Sequence, residues 1–116
     1  MTSIHLPHNH GESAEELLSH MPQTEDFERV SDLFKQLSDI SRMRIFWILC
    51  HCEQCVINLS AIVDMTSPAV SHHLKQLKSS GLIVSRREGK EVYYKAANTP
   101  QVQLLHDMLE KFVGLS

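Results

Sequence analysis

The sequence has no apolar run that approaches the roughly 18 residues of a membrane span, so no membrane association is expected. It lacks repeats and low-complexity tracts, and its first residues lack the basic start and apolar stretch of a secretory signal peptide. Its three cysteines are an odd number, whereas a secreted disulfide framework uses an even one. We therefore expect a cytoplasmic protein with free thiols, and 116 residues suffice for one domain.

A positive net charge is also missing, since the formal net charge is −3. A total of this sign argues against nucleic acid, but the charge is unevenly distributed. The segment 71–95 has six basic and two acidic residues, and the rest of the chain carries a net charge of −7. A local basic surface, rather than the total, decides whether a phosphate backbone can dock. An ordinary solvated surface has the same pattern, so charge alone leaves both interpretations open.

Histidine, in contrast, is abundant, with eight residues in the chain. His5, His8 and His10 lie among the first 12 residues, where proline, asparagine and glycine disfavour regular structure. We predict a flexible, histidine-containing arm over residues 1–12 and a single folded domain over residues 13–116.

Apolar residues recur with a helical period in the first part of this domain. The pattern predicts a short helix capped by Ser13, a second helix that begins at Thr24, and a third helix, capped by Ser41, from Arg42 to about Cys50. The third segment is apolar around most of its circumference, which indicates a central, buried helix.

Two further helical segments follow, Val56–Val63 and Ser67–Ser79, with a turn at 64–66 between them. Pro68 suits the first turn of a helix and Gly81 suits the residue after a helix end. This helix, short turn and helix have the size of a DNA-binding helix-turn-helix.

The segments 82–86 and 91–95 are rich in β-branched and aromatic residues and flank a turn at 88–90, which predicts a β-hairpin. A last helix opens at Thr99 and Pro100, and its apolar stripe has no obvious partner inside the chain, which favours a dimer seam. We therefore predict a mainly α fold with a small β-hairpin wing, a dimeric winged helix-turn-helix. The stripe consists of Val102, Leu105, Leu109, Phe112 and Val113.

The region from residue 59 to residue 96 resembles the ArsR/SmtB family of bacterial metal-sensing repressors; its sequence is LSAIVDMTSPAVSHHLKQLKSSGLIVSRREGKEVYYKA. Upstream, residues 37–45 are similar to the family's L-x-D-x-x-R-x-x-I entry to the central helix. The similarity covers roughly residues 28–113. It implies a homodimer that binds an inverted repeat in double-stranded operator DNA and leaves it when a metal ion binds.

The resemblance makes Ser67–Ser79 the recognition helix, whose N-terminal half enters the major groove, while the wing cations suit the DNA backbone or the minor groove. Three alternatives remain open. Ser67 can be only a helix cap, His73 can pack inward as readily as touch DNA, and the wing cations can be merely solvated. The predicted DNA contacts are Ser67, Pro68, Ser71, His72, Lys75, Arg86, Arg87 and Lys90.

Metal sensors of this family place their ligands at two recurrent locations, one of which is the last helix. The matching positions here are Asn98, Pro100, Lys111 and Gly114, none of which is a good zinc ligand. We therefore expect no metal site of that kind, and we interpret His106 as an exposed or interface residue.

The other location joins a cysteine at the start of the first helix of the helix-turn-helix to ligands from the N-terminal arm. Cys55 matches the first cysteine of the family's C-V-C pair, but Ile57 replaces the second. Further thiols and an imidazole lie just upstream and can bind a thiophilic ion, Zn²⁺ or Cd²⁺ above all, or Pb²⁺, Cu⁺ or As(III). The predicted ligands are Cys50, His51, Cys52, Cys55, His8 and His10.

Simpler interpretations of these residues also stand. Cys50 can belong to the core, the arm histidines can be inert, and the C-x-x-C pair of Cys52 and Cys55 can be a redox switch. The alternative function is therefore a redox- or persulfide-responsive repressor on the same fold. An enzyme with a Cys/His nucleophile is disfavoured because no signature of an orienting partner is present. A protein-interaction module that does not bind DNA is a further alternative.

Overall fold

The computed structural model describes residues 6–8 and 14–114. Contacts divide the chain into two compact units, residues 1–31 and residues 32–116. The predicted boundary after residue 12 and the predicted Ser13 cap lie outside the described residues. The helices and strands, in chain order, are α1 (Ala14–His20), α2 (Thr24–Gln36), α3 (Ile40–His51), β1 (Gln54–Cys55), α4 (Val56–Val63), α5 (Ser67–Ser79), β2 (Ile83–Glu88), β3 (Glu91–Ala96) and α6 (Pro100–Val113).

The first unit contains α1 and the beginning of α2, which starts at Thr24 as predicted. Five of its larger apolar side chains are 39% to 70% exposed, and α1 contributes no buried residue. Acidic side chains lie in the first turn of both helices, where the positive end of the helix dipole favours them. These exposed apolar residues are Leu6, Leu17, Met21, Phe27 and Val30.

The second unit is built around α3, because Ile45 and Phe46 have no exposed surface and lie in the hydrophobic core. This confirms the predicted central helix, although its start was predicted wrongly. The helix begins at Ile40, and Asp39 rather than Ser41 is its cap, since an Asp39 carboxylate oxygen accepts a 2.9 Å hydrogen bond from the backbone N–H of the third helical residue.

The helix-turn-helix consists of α4 and α5, with the predicted bounds. Thr66 caps α5, because its hydroxyl oxygen accepts a 3.3 Å hydrogen bond from the backbone N–H of Ala69. Ser67 is therefore the first residue of the helix and not its cap. One side of α5 packs into the core through Val70, Leu74 and Leu77.

The predicted hairpin pairs β2 with β3 along its whole length, from Ile83 opposite Ala96 to Glu88 opposite Glu91. The tight turn places Gly89 at a φ of +64°, a conformation that a residue without a side chain adopts at little cost. The two-residue strand β1 pairs antiparallel with the other edge of β3, so the sheet order is β1-β3-β2. A strand of two residues carries no periodicity, which is why the sequence did not predict it.

Helix α6 divides the predicted apolar stripe between two environments. Val102, Leu105 and Leu109 are buried in the core, so this part of the stripe does have a partner inside the chain. Phe112 and Val113 remain 80% and 60% exposed. None of the helices in the described part of the chain is long and apolar enough to cross a membrane.

Candidate DNA-binding surface and metal ligands

The N-terminal half of α5 presents to solvent the side chains that were predicted to touch DNA. Their exposure follows from the helical period, because the positions between them are those that pack into the core. The Ser67 hydroxyl lies 3.2 Å from the Ser60 hydroxyl, which joins the two helices of the motif. The exposed set is Ser67, Pro68, Ser71, His72 and Lys75.

The sequence left open whether His73 packs inward or touches DNA, and in the structure it packs inward. Its side chain is only 11% exposed, and its Nδ1 accepts a 3.3 Å hydrogen bond from Arg42 Nε. Burial lowers the pKa of His73, and the Asp39 carboxylate, 3.9 Å from His73 Nε2, offsets part of that effect. A neutral imidazole that accepts from Arg42 is consistent with both observations.

Arg86 at the wing is occupied by contacts within the protein. Its guanidinium donates to both carboxylate oxygens of Glu53, at 2.6 and 2.9 Å, and to a Glu88 oxygen at 2.7 Å. It also lies 4.8 Å from the centre of the Tyr93 ring. These bonds hold the pKa of Arg86 above its usual value and the pKa of Glu53 below. Through Glu53, Arg86 therefore connects β2 to the loop after α3.

The other predicted cations of this surface are unpaired in the described part of the chain. Lys75 on α5 and Arg87 and Lys90 on the wing are exposed and form no ion pair there. Lys78, by contrast, donates a 2.7 Å hydrogen bond to the Ser85 hydroxyl and so connects α5 to β2. Three of the four predicted cations are thus not held by carboxylates in the described residues.

The three cysteines are free thiols in different surroundings. Cys50 packs against the hydrophobic core, and burial together with the charge of Glu110 raises the pKa of its thiol to about 12. Cys52 is exposed, and its Sγ accepts a hydrogen bond from Gln54 Nε2 at 3.4 Å. Cys55 is the N-cap of α4 and makes no side-chain capping hydrogen bond, so its thiol is not used by the helix.

The predicted thiophilic site is not assembled within residues 6–8 and 14–114, since no three of its ligand atoms converge there. Cys50, Cys52 and Cys55 lie in the second unit, whereas the exposed His8 belongs to the first. His10 lies outside the described residues. The participation of the arm therefore stays a prediction.

The structure instead brings together His51, a predicted ligand, with His106 and Glu110. His51 Nε2 lies 3.1 Å from His106 Nε2, and a Glu110 carboxylate oxygen lies 2.9 Å from the first and 2.8 Å from the second. The His106 side chain is 17% exposed and contacts His51 of the chain's own α3, so it does not have the exposed position of the prediction, whereas the interface position stays a prediction. The i, i+4 spacing on α6 was visible in the sequence; the approach of His51 was not.

Aromatic contacts and a cavity surround this cluster. The Trp47 ring lies 4.3 Å from the His51 ring, and the two imidazole rings meet edge to face at 4.8 Å. A cavity of about 300 Å³ opens onto both histidines and is also lined by Cys52 and Gln103. The cluster is thus accessible from one side.

The sequence matches the family model described as bacterial regulatory protein, arsR family, over residues 39–85. It is 30% identical over 101 residues to a transcriptional repressor SmtB homolog of Synechocystis, which covers 87% of this chain and 76% of that protein. It is 38% identical over 81 residues to the cadmium resistance transcriptional regulatory protein CadC of Listeria innocua, covering 69% of this chain and 68% of that protein.

Among solved structures, the chain is similar to a homodimeric winged helix-turn-helix DNA-binding domain from Mycobacterium bovis, described as a possible ArsR-family transcriptional regulator. The TM-score is 0.68, the sequence identity is 25%, and the match covers 91% of each chain. The architecture described above is therefore that of a winged helix-turn-helix.

Proposed function

Because the chain belongs to the ArsR family of bacterial regulatory proteins, we propose that it is a homodimeric repressor that leaves its operator when a thiophilic metal ion binds. Members of this family regulate transcription, so regulation rather than catalysis is the activity of the chain, and the cytoplasm is its proposed location. The observation that carries the proposal is the exposed N-terminal half of α5, which the Lys78–Ser85 bond connects to a wing with unpaired cations.

The DNA contacts divide by chemistry. Ser67, Ser71 and His72 have hydroxyl and imidazole groups that can bond base edges in the major groove. Lys75, with the wing cations Arg87 and Lys90, positions the dimer through phosphates. Arg86 stabilises the wing rather than contacting DNA, because its donors are already bonded to Glu53 and Glu88.

The proposed dimer is supported by apolar side chains that α6 leaves uncovered. Leu104, Phe112 and Val113 are 60% to 80% exposed, although they are large and apolar. Two copies that bury these residues would place their recognition helices in successive major grooves, roughly 34–36 Å apart. Replacement of Phe112 by glutamate should shift the chain from dimer to monomer in sedimentation experiments, and a variant that stays dimeric contradicts this seam.

The proposed effector is Zn²⁺ or Cd²⁺, bound by the thiols of Cys52 and Cys55 with completion by His8 and His10 of the arm. Cys55 opens α4, so an ion that pulls on this thiol acts on the first helix of the helix-turn-helix. The relative in Listeria innocua is named for cadmium resistance, which supports an ion of this type. Cys50 is assigned to the core because it packs against the core residues, and burial raises the pKa of its thiol.

Operator release provides the test. A labelled duplex from the promoter of the chain's own gene should bind in fluorescence anisotropy, and Zn²⁺ or Cd²⁺ should weaken binding by about 5- to 150-fold, the usual range of allosteric coupling. Cys55→Ser should stay bound at the same ion concentration, whereas the matched control Cys50→Val should respond as the wild type does. If Cys55→Ser dimers release the operator at the wild-type ion concentration, this ligand assignment is wrong.

The redox- or persulfide-responsive repressor is the second candidate, because Cys52 is an exposed free thiol three residues from Cys55. In this case persulfide or peroxide, and not the metal ion, should release the operator from the reduced dimer. Mass spectrometry of the released protein should then show a bond between the sulfur atoms of Cys52 and Cys55.

A further inference from the structure

We propose that His51, His106 and Glu110 form a second metal site, which binds a divalent cation such as Zn²⁺ through two imidazole nitrogens and one carboxylate oxygen. This site contains no thiolate and is distinct from the cysteine site proposed above. Ion binding here stands without the proposed repressor function, whereas its effect on DNA binding rests on that function.

The ligand set determines which ions fit. Imidazole nitrogen and carboxylate oxygen are ligands for Zn²⁺ and for the neighbouring divalent ions Co²⁺ and Ni²⁺, whereas Cu⁺ and As(III) prefer sulfur. Two histidines and one glutamate bind zinc in sites that keep an open fourth position. The cavity beside His51 and His106 leaves room for a water molecule at that position.

The possible positions of the protons on the two Nε2 atoms favour a bound cation, because no arrangement of these protons makes all three contacts hydrogen bonds. A Glu110 carboxylate only accepts, so both Nε2 atoms must carry a proton to bond it. Two N–H groups would then face each other across the 3.1 Å between His51 and His106. If either nitrogen loses its proton, that nitrogen and the Glu110 oxygen are both acceptors and cannot form a hydrogen bond with each other. A cation among the three atoms makes all three contacts favourable.

The distances are close to those that a zinc ion requires. Ligand bonds of about 2.0–2.1 Å in a tetrahedral site separate the ligand atoms by about 3.3–3.4 Å. The three separations here are 2.8, 2.9 and 3.1 Å, so each ligand atom needs to move outward by only a few tenths of an ångström. The two partly exposed imidazole rings can make this movement by small side-chain rotations.

The site joins two elements that the chain places far apart in sequence. His51 is the last residue of α3, and His106 and Glu110 lie one turn apart on α6. Helix α3 packs against both helices of the DNA-binding motif, and α6 carries the exposed apolar residues of the proposed dimer seam. An ion bound here therefore fixes the dimer helix relative to the DNA-binding motif.

The test uses Co²⁺ as a spectroscopic substitute for Zn²⁺ and the full chain without the two thiols of the proposed cysteine site. The variant Cys52→Ser/Cys55→Ser should bind one Co²⁺ per chain, with visible ligand-field bands and no thiolate charge-transfer band. Co²⁺ should also quench Trp47, the chain's one tryptophan, whose ring lies 4.3 Å from the His51 ring. Zn²⁺ should displace the Co²⁺.

Adding His106→Gln or Glu110→Gln to this variant should weaken Co²⁺ binding at least about tenfold, since loss of even an outer-shell group commonly costs that much. Adding His20→Ala, which removes an exposed histidine far along the sequence, should leave binding unchanged. Circular dichroism of the ion-free variants establishes that they are folded. His51→Ala removes another of the proposed ligands without disturbing the core, because the His51 side chain is 44% exposed. Failure of the Cys52→Ser/Cys55→Ser chain to bind Co²⁺, or binding that survives these ligand replacements, overturns the site.

Measurements of operator affinity distinguish a regulatory effect of the histidine site from an effect of the proposed cysteine site. If Zn²⁺ lowers the operator affinity of the Cys52→Ser/Cys55→Ser chain and His106→Gln abolishes the effect, the histidine site acts on DNA binding. If Co²⁺ and Zn²⁺ bind this chain but leave its operator affinity unchanged, the site stands and its regulatory effect is overturned.

Discussion

Replacement of Arg87 by glutamine is expected to reduce the salt dependence of operator binding, whereas the same replacement at Arg86 is expected to change it little. The two arginines carry the same charge and are neighbours on β2, where successive side chains point to opposite faces of the sheet. They differ in their partners, because Arg86 is bonded to Glu53 and Glu88 while Arg87 is unpaired in the described part of the chain.

The size of the effect follows from counterion release. Each phosphate contact contributes about 0.9 to the slope of log K against log salt concentration. A homodimer presents Arg87 twice, so its loss should reduce the slope by about 1.8. Between about 50 and 200 mM salt, the wild type should therefore lose about tenfold more affinity than Arg87→Gln.

Fluorescence anisotropy of one labelled operator across a salt series measures both slopes, with thermal unfolding by circular dichroism as the control for folding. Arg86→Gln should keep the wild-type slope and lower the unfolding temperature, because Glu53 loses its partner. Equal reductions of the slope in the two variants would show that Arg86 exchanges its carboxylates for phosphates, which refutes the reasoning.

Three further predictions concern single side chains. Phe46→Ala should lower the free energy of unfolding by about 3–5 kcal/mol in urea denaturation, whereas Ile57→Ala, at a 69% exposed position, should change it by less than about 0.5 kcal/mol. Asp39→Ala should cost about 1 kcal/mol at neutral pH through the lost cap. A backbone hydrogen bond lowers the pKa of Asp39 in the folded state, so this cost should be complete above the ordinary value of 3.8 and disappear as the pH falls through the lower folded value. At pH 8, mass spectrometry should show iodoacetamide modifying the exposed Cys52 long before Cys50, since a pKa of about 12 leaves the half-buried thiol almost entirely protonated. Equal rates would contradict the packing of Cys50 against the core.

Local patterns predicted most of the fold. The bounds of α4 and α5 and the hairpin followed from apolar periodicity, Pro68, Gly81 and β-branched composition, which are properties of neighbouring residues. The errors are of two kinds. Asp39 rather than Ser41 is the cap because two residues, two positions apart, were both suitable, and β1 was missed because pairing with β3 rather than its own sequence makes it a strand.

The candidate site was predictable to the extent that it depends on helical geometry. The period of α5 determined which of its residues face solvent, and the i, i+4 spacing placed His106 and Glu110 on one side of α6. The family pattern pointed to Cys55. It did not indicate whether Cys50 is a ligand, because the pKa of that thiol depends on the core around it and on the charge of Glu110.

The sequence by itself determined the order of the elements, the exposed side of the recognition helix and the uneven charge, since each of these depends on residues within a few positions of one another. Only the tertiary structure decided that Arg86 binds Glu53, 33 residues away, and that His51 meets His106 and Glu110, 55 and 59 residues away. Such contacts form when helices and strands pack on a shared core, and the residue spacing within any one segment does not determine how the segments pack together.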